Sequence, residues 1–385
     1  MIPVHASDGT RVPLSGENGR PGGIDLIERA AEKGGLALRR LDPHLPRWDL
    51  PGRGVLSFEP GGQIEVSTHP HARVADVVRV LDEVLRPVHV AAEELGIRLI
   101  HRGVDPAGRG ETPLFIETAR YQKQRAHYDS IGPWGRRMMC ESAAIHVNLD
   151  LGARPVRRWR AAQRAAHVLT ALFANAPGTL DGDEMRSVRA GIWRRLDPSR
   201  TGVLLEGPDP VEDYLYFALA ARDFLGPDAG AETRPFRASW SAGASQADWQ
   251  AHLTTVFPDV RPRGYLEVRS IDAIRPAWYA APLTLMVGLL YDPQALSQAL
   301  ELLPPPDPER LVRAGRLGLT DPEIRGQALD LAAIALQGAR SLGEGIVDAD
   351  SIDRTEAFLD RFARMGADPG SEPEPELGPD AAFLP

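Results

Sequence analysis

The sequence of 385 residues has a single cysteine, Cys140, so no intrachain disulfide is available, which fits a reducing cytoplasm. It has no apolar run as long as a membrane span and no signal-peptide core at its N-terminus, so neither a membrane nor secretion is expected. Positive charge is in deficit. With 44 Lys and Arg against 53 Asp and Glu the net charge is −9, which argues against nucleic acid as the main partner, because phosphate backbones call for a basic footprint. Absent too are a P-loop, a dinucleotide fingerprint, a G-x-S-x-G elbow and a paired zinc motif, so an enzyme here is not built on one of the common nucleotide folds. No internal repeat and no Gly/Ser-rich linker divides the chain. What remains is 43% hydrophobic and 25% charged, ample for a core in one large domain or two closely packed ones. The 37 Gly and 34 Pro mark a loop-rich, enzyme-like chain.

The most informative stretch is Phe58-Glu59-Pro60-Gly61-Gly62-Gln63-Ile64-Glu65-Val66-Ser67. Val55 to Phe58 reads as a strand, Pro60-Gly61-Gly62 as a three-residue hairpin loop, and Gln63 to Ser67 as the return strand. The pleat then sets Glu59, Gln63 and Glu65 on one face and Phe58, Ile64 and Val66 on the other. Two carboxylates that close repel unless a cation lies between them, and hard oxygens of this kind suit Mg²⁺. A solvent-facing hairpin with ordinary surface glutamates explains the same pattern.

Elsewhere the periodicity predicts a possible strand at Ile2-Pro3-Val4, a helix over Ile24 to Lys33, and a long amphipathic helix over Val74 to Leu95 that Pro87 should kink or split. A strand is expected from Ile97 to His101 and a short polar helix from Arg120. Ala143 to Leu151 alternates as a strand, and Val156 to Phe173 is helical, its Arg157, Arg158, Arg160 and Arg164 expected as a solvated face. Gly182 to Thr201 reads as a loop dense in arginine. Val211 to Ala221 is helical, Gly264 to Ile271 a strand, and the chain from Ala277 to about Met365 mostly helical. The run Ser371-Glu372-Pro373-Glu374-Pro375-Glu376 is expected to be disordered, so residues 1–366 form the domain and 367–385 a disordered acidic, Pro-rich tail.

Three separated strands share one design, apolar on one face and polar on the other: Glu59/Gln63/Glu65, His146/Asn148 and Glu267/Arg269. The expected class is therefore α+β: an antiparallel sheet whose polar, concave face forms the active site, with helices packed on the other face. Each member has a plainer explanation. A strand histidine is commonly structural, Glu267 and Arg269 could form a cross-strand ion pair, and Arg189 could be loop surface. Cys140, beside Met138 and Met139, is expected in the core rather than as a nucleophile.

In matching order, the segments Phe58 to Glu65, Ile145 to Asp150, Leu172 to Pro177, Arg200-Thr201-Gly202, Trp249 to Pro258 and Tyr265 to Arg269 resemble glutamate–cysteine ligases of the plant and bacterial branch, including the actinobacterial ligases of ergothioneine synthesis. The resemblance covers roughly Val55 to Asp292. It implies a glutamine synthetase-like carboxylate–amine ligase fold. It also implies ATP- and Mg²⁺-dependent joining of the glutamate γ-carboxylate to the cysteine amine through a γ-glutamyl phosphate. By matched position, Glu59, Glu65 and Glu267 would be metal ligands. His146 would assist at the metal–phosphate region, and Arg269 would bind phosphate or a substrate carboxylate. Arg120 and Arg189 would hold substrate carboxylates, with Gln63 and Asn148 among the substrate-binding groups. The implied partners are the small molecules glutamate, cysteine and ATP, in the cytoplasm.

The chain departs from the family at its start, where a strand with a Gly-x-Glu-x-Glu motif would precede a segment like Ile2 to Thr10. Either the start is misplaced or the motif is lost; the first is favoured, because loss of a central strand exposes a sheet edge. Two alternatives to the ligase reading stay open: a related carboxylate–amine ligase with another amine acceptor, and an inactive homologue.

Overall fold

The computed structural model describes residues 1–226, 233–373 and 382–384. Its strands are β1 Ile2–His5, β2 Arg39–Arg40, β3 Arg47–Leu50, β4 Gly54–Phe58, β5 Ile64–Thr68, β6 Ile97–Ile100, β7 Ala144–Asp150, β8 Gly178–Leu180, β9 Asp183–Met185, β10 Val260–Pro262 and β11 Tyr265–Asp272. Every ladder among them is antiparallel. Three of the ladders, β2-β3-β4-β5, β1-β6 and β7-β11-β10, are joined by short bridges. Met1 and Ile64 exchange both backbone bonds, at 3.0 and 2.9 Å, which docks the start of β1 on β5. Ala143 N–H donates to Gly103 O and Asp105 N–H to Glu141 O, which carries the continuation of β6 onto the approach to β7. These backbone bonds link the three sheets, which stay separate as ladders.

Helices cover its apolar side. Val147, Leu149, Leu266 and Val268 of β7 and β11 share a core with the helices Pro155–Leu172, Ala280–Tyr291 and Pro322–Leu342. Leu50, Leu56, Phe58 and Ile64 share a second core with the helices Gly23–Gly34 and Val74–Glu94. The class is α+β, as the alternation implied.

Several local expectations are corrected. Val74–Glu94 is one helix running through Pro87. Where it crosses the first helix, a Cβ on Gly34 would stand 2.4 Å from the Pro87 ring, so Gly34 makes room for the ring. The arginine-dense segment is not a loop but the β8–β9 hairpin followed by the helices Val188–Leu196 and Pro198–Thr201. The basic face of Pro155–Leu172 is not simply solvated. Arg158 caps Leu290 O, and Arg164 pairs with Glu206 and reaches Leu300 O and Leu303 O, so these guanidiniums bind chain ends and loops to the helix. The first part of the expected tail is structured: Asp368 is buried, Pro369–Ser371 is a 3-10 turn, and Glu372 pairs with Arg275 and Arg361. Ala382 and Phe383 pack beside Leu85, and the stretch 374–381 lies outside the described residues.

The buried histidines make stability depend on pH. His89 and His101 stack, their Nε2 atoms 2.9 Å apart, and His252 clusters with Phe236 and Trp249, its Nε2 2.9 Å from Ala218 O. Burial holds His89 and His252 down to about 4, and His101 well below the ordinary 6.5. Between those values the unfolded chain binds more protons than the folded one, so stability is present above pH 6.5 and is lost as pH falls towards 4. His89 and His252 should each cost on the order of 1 kcal/mol by about pH 5.5. Thermal midpoints should therefore fall steadily from pH 7 to 5, and a flat profile would show these rings charged without penalty.

Candidate active site

Backbone contacts around the β4–β5 loop place Glu59. Glu59 N–H donates to Gln63 O and Gly62 N–H to Glu59 O, both at 2.8 Å, closing the three-residue loop. Gly61 lies flat on the chain at Cys140: a Cβ there would stand 2.3 Å from Cys140 O, so a side chain would lift the loop off its seat. Phe115 N–H donates to Pro60 O, and Arg11 spans Gly61 O and Cys140 O. Cys140 itself is fully buried, which pushes its thiol to about 12, so it is core as expected.

Glu59 and Glu65 form a close pair of carboxyls. Burial and the neighbouring Glu65 push Glu59 up to about 8, against the pull of Arg269 and Arg120. The hairpin pleat thus does set both acids on one face. Gln63 is spent differently: its Oε1 accepts from Gly61 N–H, and its Nε2 donates to Met139 O and Ser142 O. With 2% exposure it fastens the loop, and both of its amide hydrogens are committed to backbone rather than open to substrate.

Across the sheet, β7 and β11 pair in register Glu267↔Asn148 and Val268↔Val147, then shift to Ile271↔Ile145. Arg269 and Ser270 therefore stand opposite His146 alone, a β-bulge, which re-aims side chains and breaks simple alternation. His146 and Asn148 are accessible to solvent, yet His146 has Arg269, Glu267, Arg189 and Arg261 around it. An accessible ring among so many protein atoms marks a recess. Crowding by protein and the charge of Arg269 hold His146 well below the ordinary histidine range, so it is neutral.

The recess is lined by arginines. Arg261 grips Glu267 with Nε at 2.7 Å and NH2 at 3.1 Å, while Arg269 NH1 reaches the same carboxylate at 2.8 Å. Burial works against the Glu267 charge, but Arg269 and Arg261 outweigh it and hold the carboxyl at about 2. Arg269 is 8% exposed; burial and Arg261 lower it to about 10, and its Nε has no partner among the described residues. Arg189 is 5% exposed and engaged: NH1 lies 3.5 Å from Asp272 and NH2 donates to Arg269 O at 2.8 Å. It shapes the bulge from behind. Arg120, second residue of the helix Ala119–Ile131, is exposed, donates to Thr254 O at 3.1 Å and acts electrostatically on Glu59.

The structure thus brings Glu59, Glu65, Arg120, Arg269, His146 and Glu267 towards one recess, and adds Arg261, which the sequence reading did not single out. Among the described residues no group of three or more His, Cys, Asp or Glu stands ready to hold a metal ion, and Glu267 is paired with Arg261, Arg269 and, at 3.9 Å, Arg263. Other motif residues are structural. Arg200, fully buried, binds Asp197 and Thr255 and faces Phe224, and Asn175 donates to His101 O and Ala273 O.

The contrast between Arg120 and Arg189 is testable. Arg189→Ala leaves Asp272 buried without its cation and should destabilise by about 3 kcal/mol or more. Arg120→Ala should leave the thermal midpoint within about a degree, as exposed substitutions do. Equal midpoints for the two variants would contradict this placement.

A carboxyl pair and a bank of guanidiniums thus meet in one recess beside antiparallel strands. The model of glutamate-cysteine ligase family 2 matches residues 22–374, and the chain belongs to that family. Among its relatives is the glutamate–cysteine ligase EgtA of Mycolicibacterium smegmatis, 33% identical over 76% of this chain and 76% of the relative. The Mycobacterium tuberculosis EgtA is 32% identical over 82% of this chain and 77% of the relative. The chloroplastic glutamate–cysteine ligase of Arabidopsis thaliana is 33% identical over 65% of this chain, which spans about half (52%) of that relative. No helix among the described residues is long and apolar enough to cross a membrane.

Proposed function

We propose that this chain joins the γ-carboxylate of glutamate to the amine of cysteine at the expense of ATP, on a glutamine synthetase-like sheet within a single catalytic domain. The product, γ-glutamylcysteine, would feed low-molecular-weight thiol synthesis. The single observation that carries the reading is Arg269: a nine-tenths buried guanidinium with an unpartnered Nε, fixed at a bulge and within electrostatic reach of the Glu59–Glu65 pair. A buried donor of this kind calls for an acceptor, and a phosphoryl or carboxylate oxygen supplies one.

The reaction has two steps. The γ-phosphoryl group of ATP passes to a γ-carboxylate oxygen of glutamate, releasing ADP. The cysteine amine then attacks the acyl carbon, the C–O bond to phosphate breaks, and the ammonium proton is lost. Phosphoryl transfer is mostly positioning and charge neutralisation. Arg269 meets the transferring charge, and Glu267 with Arg261 holds it in place. Neutral His146 contributes hydrogen bonds, and exposed Arg120 and Asn148 stand where a substrate carboxylate and its polar neighbours would arrive. The crowded pair Glu59 and Glu65 fits a divalent cation, since one or two carboxylates plus substrate phosphates are the usual set for Mg²⁺. Bound there, Mg²⁺ would neutralise phosphoryl oxygen charge.

The assignment of Arg120 is tested by kinetics. Arg120→Lys should raise the KM of one amino-acid substrate about tenfold with kcat little changed, since lysine lacks the planar fork. Unchanged KM values for both glutamate and cysteine would remove Arg120 from the site.

A further inference from the structure

Two aromatic rings separate the guanidiniums of the recess. Trp193, on the helix Val188–Leu196, has Arg189 5.1 Å and Arg269 5.8 Å from its ring centre. Phe257 has Arg269 at 5.5 Å and Arg261 at 5.7 Å. The rings meet edge to face at 6.2 Å, and the Trp193 indole N–H donates to Phe257 O at 3.0 Å, which fixes their mutual pose. Phe257 is held in turn: its N–H donates to the carbonyl of Arg200, the fully buried residue anchored on Asp197 and Thr255.

Three cations in one recess repel, and the two acids that touch them, Glu267 and Asp272, carry one charge less than the three. Aromatic faces are negative in quadrupole and attract cations, the more so when water is excluded. Both rings are more than nine-tenths buried. Among the described residues Arg269 makes one side-chain hydrogen bond, through NH1 to Glu267, and one such bond leaves rotation about that contact free. The two faces remove that freedom.

We propose that Trp193 is a positioning residue of the reaction, acting through Arg269: with Phe257 it holds that guanidinium in the pose that meets transferring charge. The inference rests on the role given to Arg269 above and extends it to a residue on a different element. The indole N–H lock predicts a graded response, with phenylalanine keeping a π face but losing the lock, and leucine losing both.

The test is a double-mutant cycle on the full chain, reading the rate of γ-glutamylcysteine formation with ATP, glutamate and cysteine, alongside thermal midpoints. Trp193→Leu should lower kcat about tenfold or more and Trp193→Phe about threefold, with substrate KM values moving less than kcat. In the Arg269→Lys background the same Trp193 substitutions should cost less than about twofold further, because the guanidinium they position is gone. Multiplicative losses, or full activity in Trp193→Leu, would overturn the proposal. Should Trp193→Leu not fold, the cycle with Trp193→Phe decides by the same criterion. If Arg269→Lys alone is silent, Arg269 has no part in the reaction, and the role of Trp193 falls with it. That outcome is distinct from additivity, which leaves Arg269 standing.

Discussion

Arg269→Ala is expected to lower kcat/KM for γ-glutamylcysteine formation by about a thousandfold, on the scale seen when an arginine that meets phosphoryl charge is lost. The size follows from burial. A guanidinium 8% exposed interacts through little water, so its charge acts at low effective dielectric. Loss of fold would imitate this result, but Glu267 keeps Arg261 as a bidentate partner, so the carboxylate is not left bare. The thermal midpoint should accordingly drop by only a few degrees. A variant that folds and retains more than about a tenth of the activity would place the charge-stabilising group elsewhere, with Arg261 the nearest candidate.

Glu59→Gln and Glu65→Gln should each lower turnover about a hundredfold, near 2.7 kcal/mol of transition-state stabilisation. Their effect on stability should run the other way. The pair is crowded enough to push Glu59 to about 8, so folding at neutral pH must protonate that carboxyl, and replacing one carboxyl by an amide removes this cost when no cation is bound. Each variant should melt at or above the parent in chelator, and Mg²⁺ should raise its midpoint less than it raises the parent's. Lower midpoints in chelator together with unchanged turnover would make the two glutamates structural.

Much of this site was legible in the chain because its signals are local. Gly61-Gly62 between two alternating runs gave the hairpin, and the hairpin gave the shared face of Glu59 and Glu65. β7 was legible from Ile145, Val147 and Leu149 alternating with His146 and Asn148. The departures are all long-range. Arg189 was expected to hold a substrate carboxylate from a loop; its partner Asp272 lies 83 residues away, and nothing local marks the helix that carries it as buried. The metal-ligand role of Glu267 was implied by the resemblance alone, while its partner Arg261, six residues earlier on the three-residue strand β10 ending at Pro262, shows no alternation that would have marked it. The bulge at Arg269 and Ser270 is a property of pairing with β7 and has no signature of its own. Trp193 and Phe257 are single aromatics in segments whose periodicity says nothing of each other. The short strands β2 and β3 were missed for a related reason: arginines at Arg39, Arg40 and Arg47 hide their extended backbone from a hydrophobic pattern.

The most direct test of the central claim is a balance sheet of one reaction. The purified chain is mixed with ATP, Mg²⁺, glutamate and cysteine, and ADP, phosphate and γ-glutamylcysteine are measured together, with cysteine replaced in parallel by other amino acids. The account predicts the three products in equal amounts, dependence on all four components, and cysteine as the preferred acceptor. ATP turnover with glutamate but with a different amine consumed, or no turnover in a chain that is folded and binds ATP, would contradict it.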